Sequence, residues 1–478
     1  MGNYKKEWFG NVKYDLLAGL VVCMALIPEV IGFTIVAGVD PMIGVYSSFC
    51  ISVITAFFGG RTAMISAAAG SMALVLAGLV KSHGVQYMLA ATILTGVIQV
   101  ILGYFKIGKL IKYIPRPVML GFVNALGILM FKSQLEHFKD SYLLIILGII
   151  SISIIYLLPK FTKRIPSPIV SIVVVSAIVI IFKIDIRRLG EMGAINSHLP
   201  RFLVPNIPFN LETLKIILPY SISLALVGLI ESLLTAQIVD ERTETESNKN
   251  RESIGQGLAN VTAGFFGGIA GCGMIGQTVL NITYGGIGRL STFSAGTFML
   301  IFVIALNKIV VQVPVVALAS VMVVVAATTI DWESIKRIKA VPLSDTVVML
   351  TTIAIVVITD NLAYGVVIGV ILSAVLFAFK SANITVDKMN INGVTTYLVK
   401  GPLFFASTDK FINSFKYNDD TDKVEIDFLE SKIMDESAVE AIDKVVAKFE
   451  KRNIKVNVRV LNKECIDIVE KLAYFNKA

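Results

Sequence analysis

Hydrophobic and polar positions change their rhythm near Ser381. Before it, long apolar runs follow one another, separated by short polar or basic loops. After it, alternating apolar residues and amphipathic stretches take over. The first regime predicts helices over 15–36, 42–59, 68–80, 85–104, 117–131, 142–158, 168–182, 213–238, 255–268, 273–284, 290–306, 313–330, 344–360 and 363–379. The second predicts strands in VTTYLVKGPLFFAS, KVEIDFL and IKVNVRVL. It also predicts helices in DESAVEAIDKVVAKFEKR, with Asp435 near the N-cap, and in KECIDIVEKLAYF. The expected division is a transmembrane domain over 1–380 and a cytoplasmic α/β domain over 381–478.

Two of the fourteen apolar segments, 68–80 and 273–284, are too short to cross a hydrocarbon core of about 30 Å. Both begin in small residues, SAAAGSMA and GGIAGCGM, and they stand third and tenth, equivalent places in two sets of seven. Short, glycine-interrupted segments at matching places point to a transporter's binding site. Glu29 in ALIPEV and Glu231 in GLIESL, inside segments one and eight, form a second matched pair.

Composition narrows the class. Of 478 residues, 55% are hydrophobic and only 16% charged, against about 25% charged in soluble proteins. Mean hydropathy is +0.76. The chain reads as a polytopic protein of the lipid bilayer. The formal charge of +8 does not indicate nucleic acid, because the basic residues sit in short loops. With the N-terminus inside, the inner loops carry Lys5, Lys6, Lys13, Arg61, Lys106, Lys109, Lys112, Arg116, Lys160, Lys163, Arg164, Arg242, Lys249, Arg251, Arg289, Lys336, Arg337 and Lys339. The outer loops carry fewer, apart from Lys183, Arg187, Arg188 and Arg201. This bias predicts both termini in the cytoplasm and a cell-membrane location. The first residues offer neither a signal-peptide core nor, with Lys6 at the sixth position, a myristoylation pattern.

The candidate chemistry is sparse. Cys23, Cys50, Cys272 and Cys465 are isolated from one another, and His83, His137 and His198 are scattered in loops. With no nucleophile–base pair and no metal set, an enzyme is not expected. GCGMIGQ at 271–277 fits G-x-G-x-x-G, but the next acid is Asp331, and the preceding VTAGFFGGIA is glycine-rich rather than a β-branched strand. That context excludes a dinucleotide loop. A helix that starts in mid-membrane instead leaves its first N–H groups unused and carries partial positive charge. Two such starts, near 69–72 and 273–277, predict an anion site made of backbone, while small-residue helix packing is the competing explanation of the glycines.

Glu231 interrupts a long apolar run, and a carboxylate there is a functional hypothesis by default. Thr235, four residues on, shares its helical face. Together they offer hard oxygen ligands to Na⁺, or Glu231 alone takes a proton. Glu29 follows Pro28 and either lines the same cavity or is a structural acid. Asp15 and Asp240 read as capping or interfacial residues, and Arg289 as an anchor at the inner surface.

DLLAGLVVCMALIPEVIGFTIVAGVDPMIGVYSS, ESLLTAQIVDERTETESNKNRESIGQGLANVTAGFFGGIAGCGMIGQTVLNI and KGPLFFAS…VEIDFLESKIMDESAVEAI resemble signatures of the SulP family of anion permeases, over nearly the whole chain. The resemblance implies fourteen transmembrane segments in two inverted repeats of seven, core and gate domains, a C-terminal STAS domain, an elevator-like motion and a homodimer. IPE, AGVDP and GMIGQ followed by GGIGRLS are similar to the sodium-dependent bicarbonate transporters of that family. That likeness places the anion between Ala69, Gly70 and Ser71 and Gly273, Met274, Ile275 and Gly276, and the coupling cation on Glu231 and Thr235, with no other cofactor.

Three positions depart from the pattern: Glu231 stands for Asp, Ala69 for Thr, and Gln277 for a frequent Arg. The last favours a monovalent anion. Ser437 beside Asp435 occupies a turn that is phosphorylated in stand-alone STAS relatives, but Glu436 replaces a neighbouring hydroxyl, so an interaction or dimer-stabilising role is expected. The expected function is bicarbonate uptake coupled to Na⁺ or H⁺. The alternatives are a sulfate or dicarboxylate permease or exchanger of the same family and, in other classes, an anion channel or a STAS-based signalling scaffold.

Overall fold

The computed structural model describes residues 2–106, 114–161, 166–192, 198–391, 394–417, 423–460 and 463–473; Lys109, Lys112, Lys163 and Arg164 lie outside the described residues. Fourteen helices fall on the fourteen apolar runs. The first seven are α1 (Val12–Ala37), α2 (Pro41–Phe58), α3 (Gly70–His83), α4 (Val85–Tyr104), α5 (Arg116–Gln134), α6 (Tyr142–Phe161) and α7 (Ser167–Ile181). The second seven are α8 (Leu211–Thr243), α9 (Lys249–Phe265), α10 (Ile275–Thr283), α11 (Arg289–Ala305), α12 (Val315–Thr329), α13 (Leu343–Thr359) and α14 (Leu362–Ser381). Among the described residues, α1, α2, α4, α5, α6, α8 and α14 are long and apolar enough to cross a membrane, and α7, α11, α12 and α13 are apolar but shorter.

Local signals set the helix ends. Gly38 closes α1 with a left-handed φ of 73°, its N–H donating to Ile35 O at 3.1 Å. Pro41 opens α2, where a missing N–H costs nothing. Asn210 caps α8 by accepting from Thr213 N at 2.8 Å.

Packing separates two bundles. α1–α4 pack with α8–α11, and α5–α7 with α12 and α13; α14 approaches α13 and α5 at Gly365 and Gly369, next to Val356, Thr352 and Val118. The seam between them is carried by α1 and α3, which meet α7, α12 and α5. Inside the first bundle α4 and α9 touch backbone to backbone, since a Cβ on Gly96 would lie 2.4 Å from Gly257 O. This is the small-residue packing that competed to explain the glycines, and it accounts for Gly257 and Gly264 but not for 271–276.

The third and tenth segments begin differently from the expectation of helix from 68 and 273. Ser66–Ala68 (β1) and Gly271–Gly273 (β2) are extended and pair antiparallel, Ser66 opposite Gly273 and Ala68 opposite Gly271. In mid-membrane there is no water for backbone amides, so the two crossing segments satisfy each other. The strand lies in the motif itself and not in the glycine-rich VTAGFFGGIA before it, which forms none, as its composition predicts. Gly271 is required by the close approach rather than by strand propensity: a Cβ there would lie 2.1 Å from Ala67 O and 2.6 Å from Ile51 Cδ1. Gly271→Ala is expected to cost about 1–3 kcal/mol or more through overpacking, read as a lowered melting temperature of the detergent-solubilised protein.

No apolar run predicts the helix found at Gly2–Phe9. It docks through Trp8, buried against Phe57 and Phe293, and through Glu7, which pairs with Arg289 at 2.7 Å. Arg289 lies away from the cavity of the half-helices and is buried. It is 3% exposed and also donates to Ala56 O and Gly59 O, because its position at the start of α11 faces the end of α2 rather than solvent. Asp15 caps no helix: it accepts from the amides of Ile287 and Gly288 in the turn that precedes α11, and so ties α1 to that turn. Asp240 pairs with Arg61 at 3.0 Å and Lys249 at 2.7 Å.

A second compact unit spans 371–478. Its sheet runs in the order β3 (Thr385–Ile391), β4 (Val394–Leu403), β5 (Lys423–Ile433) and β6 (Lys455–Arg459), with β3–β4 antiparallel and the other two pairs parallel. α15 (Thr408–Asn413), α16 (Glu436–Glu450) and α17 (Lys463–Leu472) complete it. The core gathers Tyr397, Phe411, Phe428, Ile442 and Phe449. Of these elements, β3 and α15 are absent from the sequence-based expectation. Asp435 caps α16 through Ala438 N at 2.9 Å and also accepts from Phe405 N, while Ser437 is exposed.

Candidate functional site

The β1–β2 ladder fixes where two helices begin. Because the strands run antiparallel, α3 and α10 leave the ladder in opposite directions with their first turns at its two ends. Ala69 and Met274 are their N-cap residues, in extended conformation, and no side chain caps either helix. The first intrahelical bonds are donated by Ala73, to Ala69 O, and by Thr278, to Met274 O. The amides of 70–72 and 275–277 are therefore not used by their own helices.

A clamp of buried polar side chains holds the ladder in place. Asn260 grips Gly271 on both sides, accepting from its N–H at 2.8 Å and donating to its carbonyl at 3.0 Å, and also donates to Gln99. Ser232 accepts from Gly273 N at 2.9 Å, Ser48 accepts from Ala68 N at 3.0 Å, and Gln256 donates to Ser66 Oγ at 2.7 Å.

A cavity of ≈ 410 Å³ opens at the two helix starts. One wall comes from the first bundle: Glu29 and Phe33 of α1, Ala69, Gly70 and Ser71, Glu231 and Leu234 of α8, and Gly273 through Gln277. The other comes from α5 and α12 of the second bundle, with Phe122, Val123, Leu126 and Met130 facing Val325, Thr328 and Thr329. Among the described residues on this wall, Glu29 and Glu231 are the ionisable ones, and there is no Lys, Arg or His.

Each acid is held by a residue of a half-helix. Ser71 Oγ donates to Glu231 Oε2 at 2.7 Å, and Cys272 Sγ donates to the same oxygen at 2.7 Å. Gln277 Nε2 donates to Glu29 Oε2. Thr235 is not on the cavity wall. Its hydroxyl donates to Glu231 O at 2.7 Å and reaches Gly273 O at 3.1 Å, tying α8 to the ladder. All seven residues expected at the anion, both acids and Gln277 line one cavity, with Thr235 directly behind it.

Residues 12–141 and 139–352 match the sulfate permease family, and residues 385–477 match the STAS domain. The chain belongs to the sulfate permease family. It is an anion transporter of that family rather than an enzyme, with a helical membrane domain of two inverted repeats followed by a STAS domain. YbaR of Bacillus subtilis, a candidate sulfate transporter, is 52% identical over 471 residues, covering 98% of each chain. The bicarbonate transporter BicA of a Picosynechococcus species is 28% identical over 419 residues, 80% of this chain and 73% of that one. Among solved structures, the transmembrane domain of a cyanobacterial BicA matches with a TM-score of 0.68 at 26% identity, covering 77% of this chain and 98% of that one. The overall structure of SLC26A9 shares the fold, with a TM-score of 0.84 at 17% identity over 98% of this chain and 87% of that one.

Several members of the site in this permease are not singled out by sequence. Cys272 lay inside the glycine motif, but nothing in the chain shows that its thiol would meet Glu231. Phe33 follows Glu29 by four residues, so the helical repeat alone puts it on the same face. Thr328 and Thr329 come from a different bundle, and no local signal connects them with the half-helices. The clamp residues Asn260 and Ser232 look in sequence like ordinary polar residues of a membrane helix.

Proposed function

We propose that this permease is a secondary active transporter of a small inorganic anion, bicarbonate in preference to sulfate, coupled to Na⁺ or H⁺ at Glu231. One observation carries the reading. The unused amides of two opposed half-helices border a cavity that, among the described residues, holds two carboxyl groups and no basic side chain. Fixed amide dipoles supply only partial charge, which suits a monovalent anion better than a divalent one. Glu231 on α8 and the two helix starts belong to one bundle, so a cation there travels with the anion. The mostly apolar wall of α5 and α12 supports an elevator-like displacement of the first bundle against the second. A homodimer in the cell membrane with both termini in the cytoplasm belongs to the same reading, supported by the loop charges and by the family. Asp435 and Ser437 are read as an interaction turn, since one caps α16 and the other is exposed.

Sulfate is the second reading, favoured by the name given to the 52% identical YbaR. Reconstituted proteoliposomes separate the two. Labelled bicarbonate, sulfate and a dicarboxylate are offered with and without Na⁺ and pH gradients. Saturable, gradient-driven bicarbonate accumulation is expected. Accumulation of sulfate alone would replace the substrate, and current without saturable coupled flux would replace the mechanism by a channel.

A further inference from the structure

A second cavity, of ≈ 270 Å³, opens on the first turns of α5, ahead of Phe122 and the other residues of that helix that wall the first. The short helix Trp332–Lys336, between α12 and α13, and the first turns of α13 complete it. Hydrogen bonds fix these walls to one another. Asn124 of α5 donates to Ser334 Oγ at 2.9 Å and accepts from Asp331 N at 2.7 Å, and Thr346 of α13 donates to Ile338 O at 3.2 Å.

The lining combines apolar Leu120, Val341 and Met349 with charged side chains. Glu333 and Arg337 pair with each other, and Asp331 accepts from Ser334 N at 3.0 Å. Two charges of opposite sign are left. Among the described residues Arg116 has no hydrogen-bond or ion-pair partner, and Asp345 has only the hydroxyl of Ser344, at 3.2 Å. They line one cavity without reaching each other. The surroundings are those of a membrane boundary. Trp332 is exposed, its Nε1 donating to Ala327 O, as in an interfacial aromatic belt. Leu343, Val347, Leu350 and Ile358 form an exposed apolar stripe along α13 that starts beside the cavity.

We propose that this cavity is a headgroup site for a membrane phospholipid that carries a phosphate and a primary ammonium, the chemistry of phosphatidylethanolamine. The phosphate meets Arg116, whose planar fork suits its oxygens. The ammonium, with N–H groups to donate, meets Asp345 and the Thr346 hydroxyl. An acyl chain follows the α13 stripe. A choline headgroup has the same net charge but no N–H for Asp345. A glycerol headgroup leaves Asp345 without a counter-charge. The topology read from the loop charges, with Lys336 and Lys339 beside the cavity, makes the leaflet the inner one; the binding itself does not rest on that topology, nor on the anion site.

The test offers the full-length protein, in mild detergent, an equimolar mixture of phosphatidylethanolamine, phosphatidylcholine and phosphatidylglycerol with the same acyl chains, and reads the retained lipid by native mass spectrometry. Wild type is expected to retain the ethanolamine lipid about fivefold over either of the others, the upper end of what one exposed ion pair supplies. Arg116→Gln and Asp345→Asn, each alone, are expected to bring ethanolamine and choline lipids to equal retention. Lys132→Gln, at the far end of α5, is expected to keep the preference. Equal retention of all three lipids by wild type, a preference for the glycerol lipid, or a preference that survives both variants overturns the proposal. So does a lipid-free dimer, which would give this face to a second copy of the chain. If the variants melt early, wild type alone decides. Mono- and dimethylated ethanolamine lipids are expected to be retained progressively less as N–H donors are lost, and equal retention along that series overturns the site. Glycerophosphoethanolamine, the headgroup without chains, is expected not to displace the lipid at equal concentration; displacement would mean a soluble ligand and overturn the lipid assignment.

Discussion

Glu231→Gln is expected to abolish gradient-driven accumulation of the anion while leaving the anion site able to bind. The carboxylate lies inside the first bundle, with Ser71 and Cys272 both donating to Oε2. Gln has nearly the same shape, and both partners can rotate to meet an amide, so the packing survives. The charge does not. Removing it deletes the group that would hold a coupling cation next to the anion, and coupling free energies of this kind run about 1–3 kcal/mol, or roughly 5–150-fold. Loss of a negative charge beside the half-helices leaves anion affinity equal or higher. The measurement is uptake into proteoliposomes with Na⁺ and pH gradients imposed separately. Whichever gradient drives wild type and ceases to drive Glu231→Gln names the coupling ion. Undiminished accumulation in the variant would remove Glu231 from the mechanism.

Gly276→Val is expected to block anion binding without harming the fold. A Cβ at Gly276 meets nothing within 4 Å, and the residue lines the cavity. The added methyls therefore project into the space where the anion would approach the amides of 275–277. Hydrogen bonds to a charged group are worth about 1.5–3 kcal/mol each, so displacing one lowers affinity by about 10–150-fold. The neighbouring Gly273 would give an ambiguous result. A Cβ there lies 3.1 Å from Met64 Cε and 3.1 Å from Ser232 Cα, so a bulky residue would disturb the clamp itself. Unaltered anion affinity in a Gly276→Val protein with wild-type melting behaviour would refute the backbone-amide site.

The fourteen helices were legible because an apolar run needs only a count of residues to be read. The pairing of segments three and ten was legible because both are too short to span. The ladder between them was not. A strand of Gly-Cys-Gly has no propensity signal, and its extended form is imposed by a partner some two hundred positions away in the chain, Ser66–Ala68. Glu231 and Glu29 were visible as acids out of place in apolar helices. What they touch was not, since Ser71, Cys272 and Gln277 reach them only once α3 and α10 are set by that ladder. The burial of Arg289 was not legible, because the short helix over Gly2–Phe9 that covers it carries no long apolar run.

The ladder has only three rungs, and both helix starts are measured from it. Sliding one strand by one residue would move its helix start by about 3.3 Å relative to the other, close to the diameter of an oxygen atom, and would turn its side chains to the opposite face. Register here is a length standard. The gap between the two sets of amides, and with it the size of ion that can touch both, is set by which backbone group of 66–68 meets which of 271–273. Selectivity by radius in this permease would then be a property of main-chain pairing, inherited by every side-chain variant that leaves the pairing intact.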